Sequence, residues 1–115
     1  MKRPLLAAML LPGLVAPAFG ADTVSGQTVF QHWCVPCHGA GPGHPGTAAL
    51  DAKYDGAKPA LLEQRTDLAP PFVKAMVRQG ISIMAPFRKS EITDAELDAL
   101  TNYLAHPAAK RAKKE

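Results

Sequence analysis

Apolar residues recur at helical spacing in separate parts of the chain, and loops rich in proline and glycine divide these parts. The first predicted helix covers residues 26–33, with Ser25 as its N-cap and with Val29, Phe30 and Trp33 on one face. It ends in the stretch 34–38, because the prolines and glycines of residues 42–46 prevent continuation.

The middle of the chain has a weaker pattern. Residues 48–54 are predicted to form a short helix ended by Gly56, and Pro59 fits the first turn of another over residues 60–64. A clearer helix begins at Pro70 and Pro71 and carries an apolar stripe of Phe72, Val73, Met76 and Val77. Gly80 follows its end, and residues 81–89 read as an apolar loop.

The last predicted helix covers residues 94–105 and has the strongest local signals. Thr93 and Glu96 are spaced for a capping box, and Ile92 and Leu97 are spaced for a hydrophobic staple. Its apolar face carries Leu97, Leu100 and Leu104, with Tyr103 beside them. Because no segment predicts a strand, the fold class is expected to be all-α.

The first twenty residues have the features of an export signal. Lys2 and Arg3 precede an apolar run over residues 5–15, which is too short for a membrane span of about 20 residues. Small residues at Ala18 and Gly20 suit cleavage after Gly20, or after Ala18 as the second choice. We therefore expect a signal peptide at 1–20, one domain at 21–107, a flexible basic tail at 108–115, a periplasmic location and no stable membrane anchor.

Charge adds little to this picture. The 115 residues carry 13 basic and 10 acidic side chains, and four of the basic ones lie in the last six residues. Without the signal and the tail, residues 21–109 have 7 basic and 9 acidic side chains. A near-neutral body and an export signal argue against nucleic-acid binding, and a short basic terminus is usually just solvated.

The residues Cys34-Val35-Pro36-Cys37-His38 form a C-x-x-C-H motif, which predicts covalent attachment of haem c. At this spacing two thiols can reach two neighbouring vinyl groups, and the imidazole can reach the iron. A thioredoxin-type dithiol would follow a strand, and a zinc site would need a second ligand pair that His32, His44 and His106 do not supply. A disulfide between Cys34 and Cys37 would close only a tiny loop.

Met84 is the preferred sixth ligand of the iron. It lies in the apolar loop, 46 residues after His38, with Pro86 and Phe87 following it. Met76 lies in a helical stripe, where a methionine usually packs in the core, and the three other histidines stay as further alternatives. Ligation by His38 and Met84 would fill both axial positions, as an electron carrier needs and an oxygen-activating enzyme does not.

With these residues the chain resembles class I c-type cytochromes over most of the mature sequence. The matching features are Gly26 and Phe30 before the motif, Met84 after it, and the cluster of Leu100, Tyr103 and Leu104. The resemblance implies a small cytochrome c fold of three to five helices around one covalently attached haem. It also implies that Gly26 and Phe30 pack against Tyr103.

The same resemblance implies that a proline carbonyl accepts a hydrogen bond from the ligand histidine. Pro45 is the candidate, and Pro42 is the second choice. One departure from the family pattern concerns the loop, because Ala85 separates Met84 from Pro86, whereas many members have proline directly after the methionine.

A narrower resemblance concerns residues 72–80 and 84–87. These are similar to the cytochrome subunit of p-cresol methylhydroxylase and eugenol hydroxylase, in which an FAD-containing subunit oxidises a 4-alkylphenol and passes electrons singly to the cytochrome. The partner implied is such a dehydrogenase subunit. The alternatives are a free carrier between respiratory complexes and a haem enzyme or gas sensor. Expected contact residues near the haem edge are Val35, Ala40 and Ala85.

Overall fold

A computed structural model describes residues 23–106 and shows a helical protein. The elements in chain order are α1 (Gly26–Val29), a π-helical turn (Phe30–Cys34), α2 (Val35–His38), α3 (Pro45–Tyr54), a 3-10 turn (Leu62–Gln64), α4 (Pro70–Gln79) and α5 (Asp94–Leu104). Within 23–106 the only β-type pairing is an isolated bridge, so the predicted all-α class is confirmed. The predicted signal peptide at 1–20 and the tail at 108–115 lie outside the described residues. Between residues 23 and 106, none of the helices is both long and apolar enough to cross a bilayer.

The first three elements form one continuous helix, called the motif helix below. It runs on through the C-x-x-C-H motif and ends at His38, so the prediction that it ends in the stretch 34–38 is confirmed, although regular helix was expected only as far as Trp33. Pro36 has no backbone N–H to donate to the preceding turn, and the wider π turn stands where that bond would be missing. Ser25 is the N-cap residue, as predicted, but its exposed hydroxyl makes no capping hydrogen bond, and its carbonyl accepts from Val29 N at 3.1 Å.

The motif helix crosses α5 at Gly26, and α5 comes so close there that a side chain would not fit. A Cβ on Gly26 would overlap the Ala99 carbonyl and would lie 2.7 Å from Cβ of Tyr103. One turn further on, the rings of Phe30 and Tyr103 pack with their centroids 5.8 Å apart. The packing expected for Gly26, Phe30 and Tyr103 is therefore confirmed.

The middle region differs from its prediction. Helix α3 begins at Pro45, three residues earlier than expected, and Asp55 and Gly56 end it with φ values of 44° and 80°. Pro59 begins no helix, and residues 60–64 contain only the 3-10 turn. This segment has few regular backbone hydrogen bonds. Side-chain contacts with the end of α3 fix its position instead.

Arg65 is the centre of those contacts and is only 5% exposed. Its Nε and Nη2 donate to the two carboxylate oxygens of Asp67 at 2.6 and 2.8 Å, and Lys58 Nζ donates to the same carboxylate at 2.7 Å. The guanidinium also lies over the ring of Tyr54, 4.8 Å from its centroid. This group of four residues is called the Arg65 cluster below.

Helices α4 and α5 agree closely with the sequence. Gly80 follows α4 with φ of 70°, and both hydrogen bonds of the capping box between Thr93 and Glu96 are formed. The core lies between these two helices and the motif helix; it contains Val29, Phe30, Leu68, Val73, Val77, Ile92, Leu97, Leu100 and Leu104.

We predict that Gly26→Ala lowers the free energy of unfolding by about 1–3 kcal/mol, the usual cost of inserting a methyl group into a packed contact. The reason is that the added Cβ must push the motif helix away from Ala99. Urea denaturation of the haem-loaded protein followed by circular dichroism measures the change. Gln27→Ala, at an exposed neighbour in α1, is the control and should leave stability within about 0.5 kcal/mol. Equal effects of the two substitutions would contradict the crossing described here.

We also predict a specific acid sensitivity from Asp67, whose pKa is held well below its usual range by hydrogen bonds from Arg65 and Lys58. A carboxylate with a lowered folded pKa stabilises the protein above its ordinary pKa, about 3.9, and this contribution is lost as the pH falls below that value. Asp67→Asn should therefore cost about 0.5–1 kcal/mol near neutral pH, because solvent screens the ion pairs of this carboxylate, which is 39% exposed. The difference from the wild type should shrink as the pH falls through about 4.

The control for this pH dependence is Asp55→Asn. Asp55 makes no ion pair among the described residues, and asparagine also accepts its left-handed backbone. Denaturation midpoints at several pH values should show a pH-dependent difference for Asp67→Asn alone. A difference that stays constant with pH would mean that the Asp67 carboxylate is not held ionised by its neighbours.

Candidate functional site

A cleft of about 160 Å³ opens between the motif helix, α3, α4 and α5. Three of the predicted site residues line it: Cys34 and His38 from the motif helix, and Met84 from the loop after α4. Most of the remaining lining is apolar and consists of Leu50, Leu62, Leu68, Phe72, Val73, Met76, Val77, Ile81, Leu100 and Leu104. The fold thus brings together Cys34 and Met84, which are 50 positions apart in the sequence.

The two cysteines occupy different environments, and both are free thiols. Cys34 is half-buried at the cleft, and burial, with a smaller effect of Cys37, raises the pKa of its thiol to about 12. Cys37 is exposed and does not line the cleft. Reactive dithiols of the thioredoxin type depend on a cysteine whose pKa is lowered, and Cys34 shows the opposite shift.

The imidazole of His38 has one nitrogen inside the protein. Its Nδ1 is buried and is the only buried side-chain nitrogen or oxygen without a hydrogen-bond partner among residues 23–106. Burial also lowers the pKa of His38. The hydrogen bond predicted from this histidine to Pro45, or to Pro42, is not formed in this structure. Pro45 is the first residue of α3, so its carbonyl is directed along the helix toward the next turn.

Met84 stands at the end of a tight turn. Its backbone and that of Ile81 exchange two hydrogen bonds, with N–O distances of 3.0 and 2.9 Å. Gly80 and Ser82 have positive φ angles of 70° and 54°, which allow the chain to reverse within this short distance. The side chain of Met84 is half-buried against the core, and Met76 of α4 also lines the cleft.

The end of this loop is fixed to α4 and to the motif helix. The backbone N–H of Phe87 donates to Val77 at 2.8 Å, and its ring packs edge-on against Trp33 with centroids 5.8 Å apart. Arg78 donates to the Phe87 carbonyl at 3.1 Å and to Asp94 at 2.9 Å. Sequence reasoning missed Arg78, because an arginine in the last turn of a helix usually has only solvent and the helix dipole as its partners.

Three polar residues of the cleft were also missed: Lys53, Tyr54 and Arg65. They come from α3 and from the irregular segment after it, so no period in the sequence links them. Arg65 is the only cation buried among the described residues. One side of an otherwise apolar cleft is therefore positively charged.

The remaining candidates lie elsewhere. His32 is exposed beside Trp33, and His44 lies 3.3 Å from the carbonyl of Pro36, measured from its Nδ1. His106 contacts the carbonyl of Asn102. None of the three lines the cleft, and neither do the predicted contact residues Val35, Ala40 and Ala85, of which Ala40 and Ala85 are exposed.

These residues fit haem c. An apolar cleft suits the porphyrin, a half-buried thiol and an exposed thiol are available for thioethers, and Arg65 and Lys53 can meet the two carboxylates of the haem. The imidazole of His38 and the thioether of Met84, which both line the cleft, belong to the two ligand types found on cytochrome c iron.

Comparison with known proteins agrees with this chemistry. No curated protein and no solved structure matches the chain significantly. Residues 21–104, well over half of the chain, match the family model described as cytochrome c oxidase, cbb3-type, subunit III. The chain belongs to that family: it is a class I c-type cytochrome, an electron-transfer protein that binds haem c covalently.

Proposed function

We propose that this protein is a periplasmic electron carrier with a single haem c, whose iron is ligated by His38 and Met84. We further propose that it accepts electrons from a flavin-containing dehydrogenase subunit that oxidises a substrate of the 4-alkylphenol type. The observation that carries the ligation is the meeting of Cys34, His38 and Met84 at one cleft. The observation that carries the partner is the resemblance of residues 72–80 and 84–87 to a flavocytochrome subunit.

Each site residue has a separate task in this proposal. Cys34 and Cys37 hold the haem through thioether bonds, and the single C-x-x-C-H motif limits the chain to one such group. His38 binds the iron from the motif side and Met84 from the loop side. When bound, haem c supplies a one-electron couple between ferric and ferrous iron.

Met84 is favoured over Met76 by the way the two are held. Met76 lies in the middle of α4, where its backbone is fixed by helix hydrogen bonds. Met84 stands at the end of the turn that its two hydrogen bonds with Ile81 close, and Phe87 anchors the loop just beyond it. A loop fixed at both ends can present a thioether at a constant distance from the iron, which keeps the reorganisation on electron transfer small.

Arg65 and Lys53 are proposed to meet the haem carboxylates. Arg65 stays in place without the haem, because Asp67 binds its Nε and Nη2 and Tyr54 packs against its guanidinium. Such a preorganised cation would favour binding of the negatively charged haem carboxylates at this side of the cleft. The haem orientation is then determined at one end by the cysteines and at the other by the Arg65 cluster.

Docking of the partner is proposed at the face that carries the flavocytochrome-like segment. Three large apolar side chains near the cleft are exposed there: Phe72 by 51%, Ile81 by 52% and Ile83 by 79%. Lys74, Arg78 and Lys89 on the same segment and the loop after it are each paired with an aspartate of α5. A face with exposed apolar groups and paired charges suits association that depends only weakly on salt.

The alternative is a free electron carrier between respiratory complexes. The observation in its favour is that the matched family is described as a subunit of a cytochrome c oxidase and not of a flavin-containing dehydrogenase. The periplasmic location is proposed from the signal-like residues 1–20 and is common to both readings.

Met84→Ala is predicted to abolish the near-infrared sulfur–iron band of the oxidised protein, because no other thioether would be placed on the iron. Met76→Ala is the matched control, since it removes a second cleft methionine and should leave the band in place. Absorption spectra of both purified variants, compared at equal haem content, give the result. Loss of the band in Met76→Ala with retention in Met84→Ala would reverse the ligand assignment.

Gel filtration of natively expressed protein tests the partner. Haem and flavin absorbance are expected to elute together, as they must if the cytochrome is a subunit of a flavocytochrome. The complex should survive an increase in ionic strength, because few unpaired charges lie at the proposed face. Haem eluting alone at the monomer position would instead support the free carrier and would contradict a stable dehydrogenase complex.

A further inference from the structure

The first turn of α3 lies directly against the ring of His38. A Cβ on Gly46 would be 2.7 Å from Cε1 and 2.9 Å from Nδ1 of His38, and 2.8 Å from the carbonyl oxygen of Cys37. Real Cβ atoms do not approach other atoms this closely, so only glycine allows α3 to meet the motif here. The backbone of Gly46 is thus in van der Waals contact with the buried edge of the imidazole.

The backbone conformation gives no other reason for glycine at this position. Gly46 is the second residue of α3, and the glycines with positive φ are elsewhere in the described chain, at 41, 43, 56 and 80. Glycine in a helix costs about 0.5–1 kcal/mol relative to alanine. Contact with His38 and Cys37 is what excludes a side chain.

The state of His38 Nδ1 makes this contact important. Histidines that bind metals usually donate a hydrogen bond from the nitrogen not on the metal, and this bond fixes the rotation of the ring. Nδ1 of His38 is buried and has no hydrogen-bond partner among the described residues. At this nitrogen a hydrogen bond would normally restrict the rotation of the ring. In this protein, steric contact with Gly46 occupies that side of the ring instead.

Two neighbouring contacts fix Gly46 itself. The hydroxyl of Thr47 donates to the carbonyl of Gly39 at 2.8 Å, which ties α3 to the residue directly after His38. The ring of His44 covers Gly39, and its Nδ1 lies 3.3 Å from the Pro36 carbonyl. The segment before and after Gly46 is thus bound to the motif helix on both sides of His38.

We propose that Gly46 is a positioning residue that sets the rotation of the His38 imidazole through direct packing. The orientation of this ring toward the iron is then determined by the first turn of α3. The inference rests on the proposed function, in which His38 is an axial ligand.

Gly46→Ala tests this in the haem-loaded protein, and Ala48→Ser is the control. Both add one heavy atom to the first half of α3, but the side chain of Ala48 is exposed, whereas a Cβ on Gly46 meets the ring of His38. The readouts are the haem-methyl hyperfine shifts in the proton NMR spectrum of the ferric protein and its EPR g values, which both depend on axial ligand orientation.

The expected result is a redistribution of the haem-methyl shifts and altered g values in Gly46→Ala, with wild-type values in Ala48→Ser. Unchanged spectra in Gly46→Ala would overturn the inference, as would equal changes in both variants. If Gly46→Ala does not load haem, the same spectra of Thr47→Val test the inference. This substitution removes the hydrogen bond that holds the first turn of α3 and adds no atom beside the His38 ring. Altered shifts there support the inference, and wild-type shifts overturn it.

His38→Ala separates this inference from the proposed function. With haem still attached through the cysteines, it should lose the low-spin ferric spectrum of the wild type. If that spectrum is retained, His38 is not the ligand and the proposed function fails, whatever the Gly46 variants show. If it is lost while Gly46→Ala and Thr47→Val remain like the wild type, only the inference about Gly46 fails.

Discussion

The close contact between Gly26 and α5 is the constraint on which the rest of the structure depends. Because the two backbones touch, the motif helix has one possible height and angle on α5, and Phe30 packs against Tyr103 one turn later. That placement carries Cys34 and His38 to the edge of the core instead of into solvent. The attachment chemistry is local in sequence, but its direction is determined at a crossing eight residues earlier.

The cleft combines two kinds of support that differ physically. Its apolar wall comes from helices whose faces are also the core, so stability and haem binding draw on the same side chains, such as Val73 and Leu100. Its charged side comes from the Arg65 cluster, where a buried guanidinium is balanced by Asp67 and packed on Tyr54. A buried cation without such partners would be strongly destabilising, so the cluster makes a charged residue compatible with an apolar site.

The sequence predicted those elements that depend on a repeating pattern or on a fixed spacing of residues. It did not predict the roles that depend on single contacts between distant residues. The C-x-x-C-H motif, the stripe of α4 and the capping box at Thr93 are local patterns, and the structure has the elements they predict. Arg65 and Gly46 have roles that depend on residues brought close by folding, so no local pattern marked them. The motif helix ends at His38, within the stretch 34–38 where the sequence predicted its end. The π turn before Pro36, where the proline leaves a backbone hydrogen bond missing, was not predicted.

The two proposed iron ligands are restrained in different ways, because one lies on a helix and the other on a loop. His38 is part of a helix, so its backbone is fixed and only the rotation of its ring needs restraint, which contact with Gly46 can supply. Met84 is part of a loop, so its backbone must first be fixed, by the bonds to Ile81 and by the anchoring of Phe87 on Val77 and Trp33. A flexible thioether then needs no further restraint, because its rotatable bonds can adapt to the iron. If the two side chains are the iron ligands, a rigid ring on a rigid helix and an adaptable side chain on an anchored loop would both remain in place when the iron changes its charge.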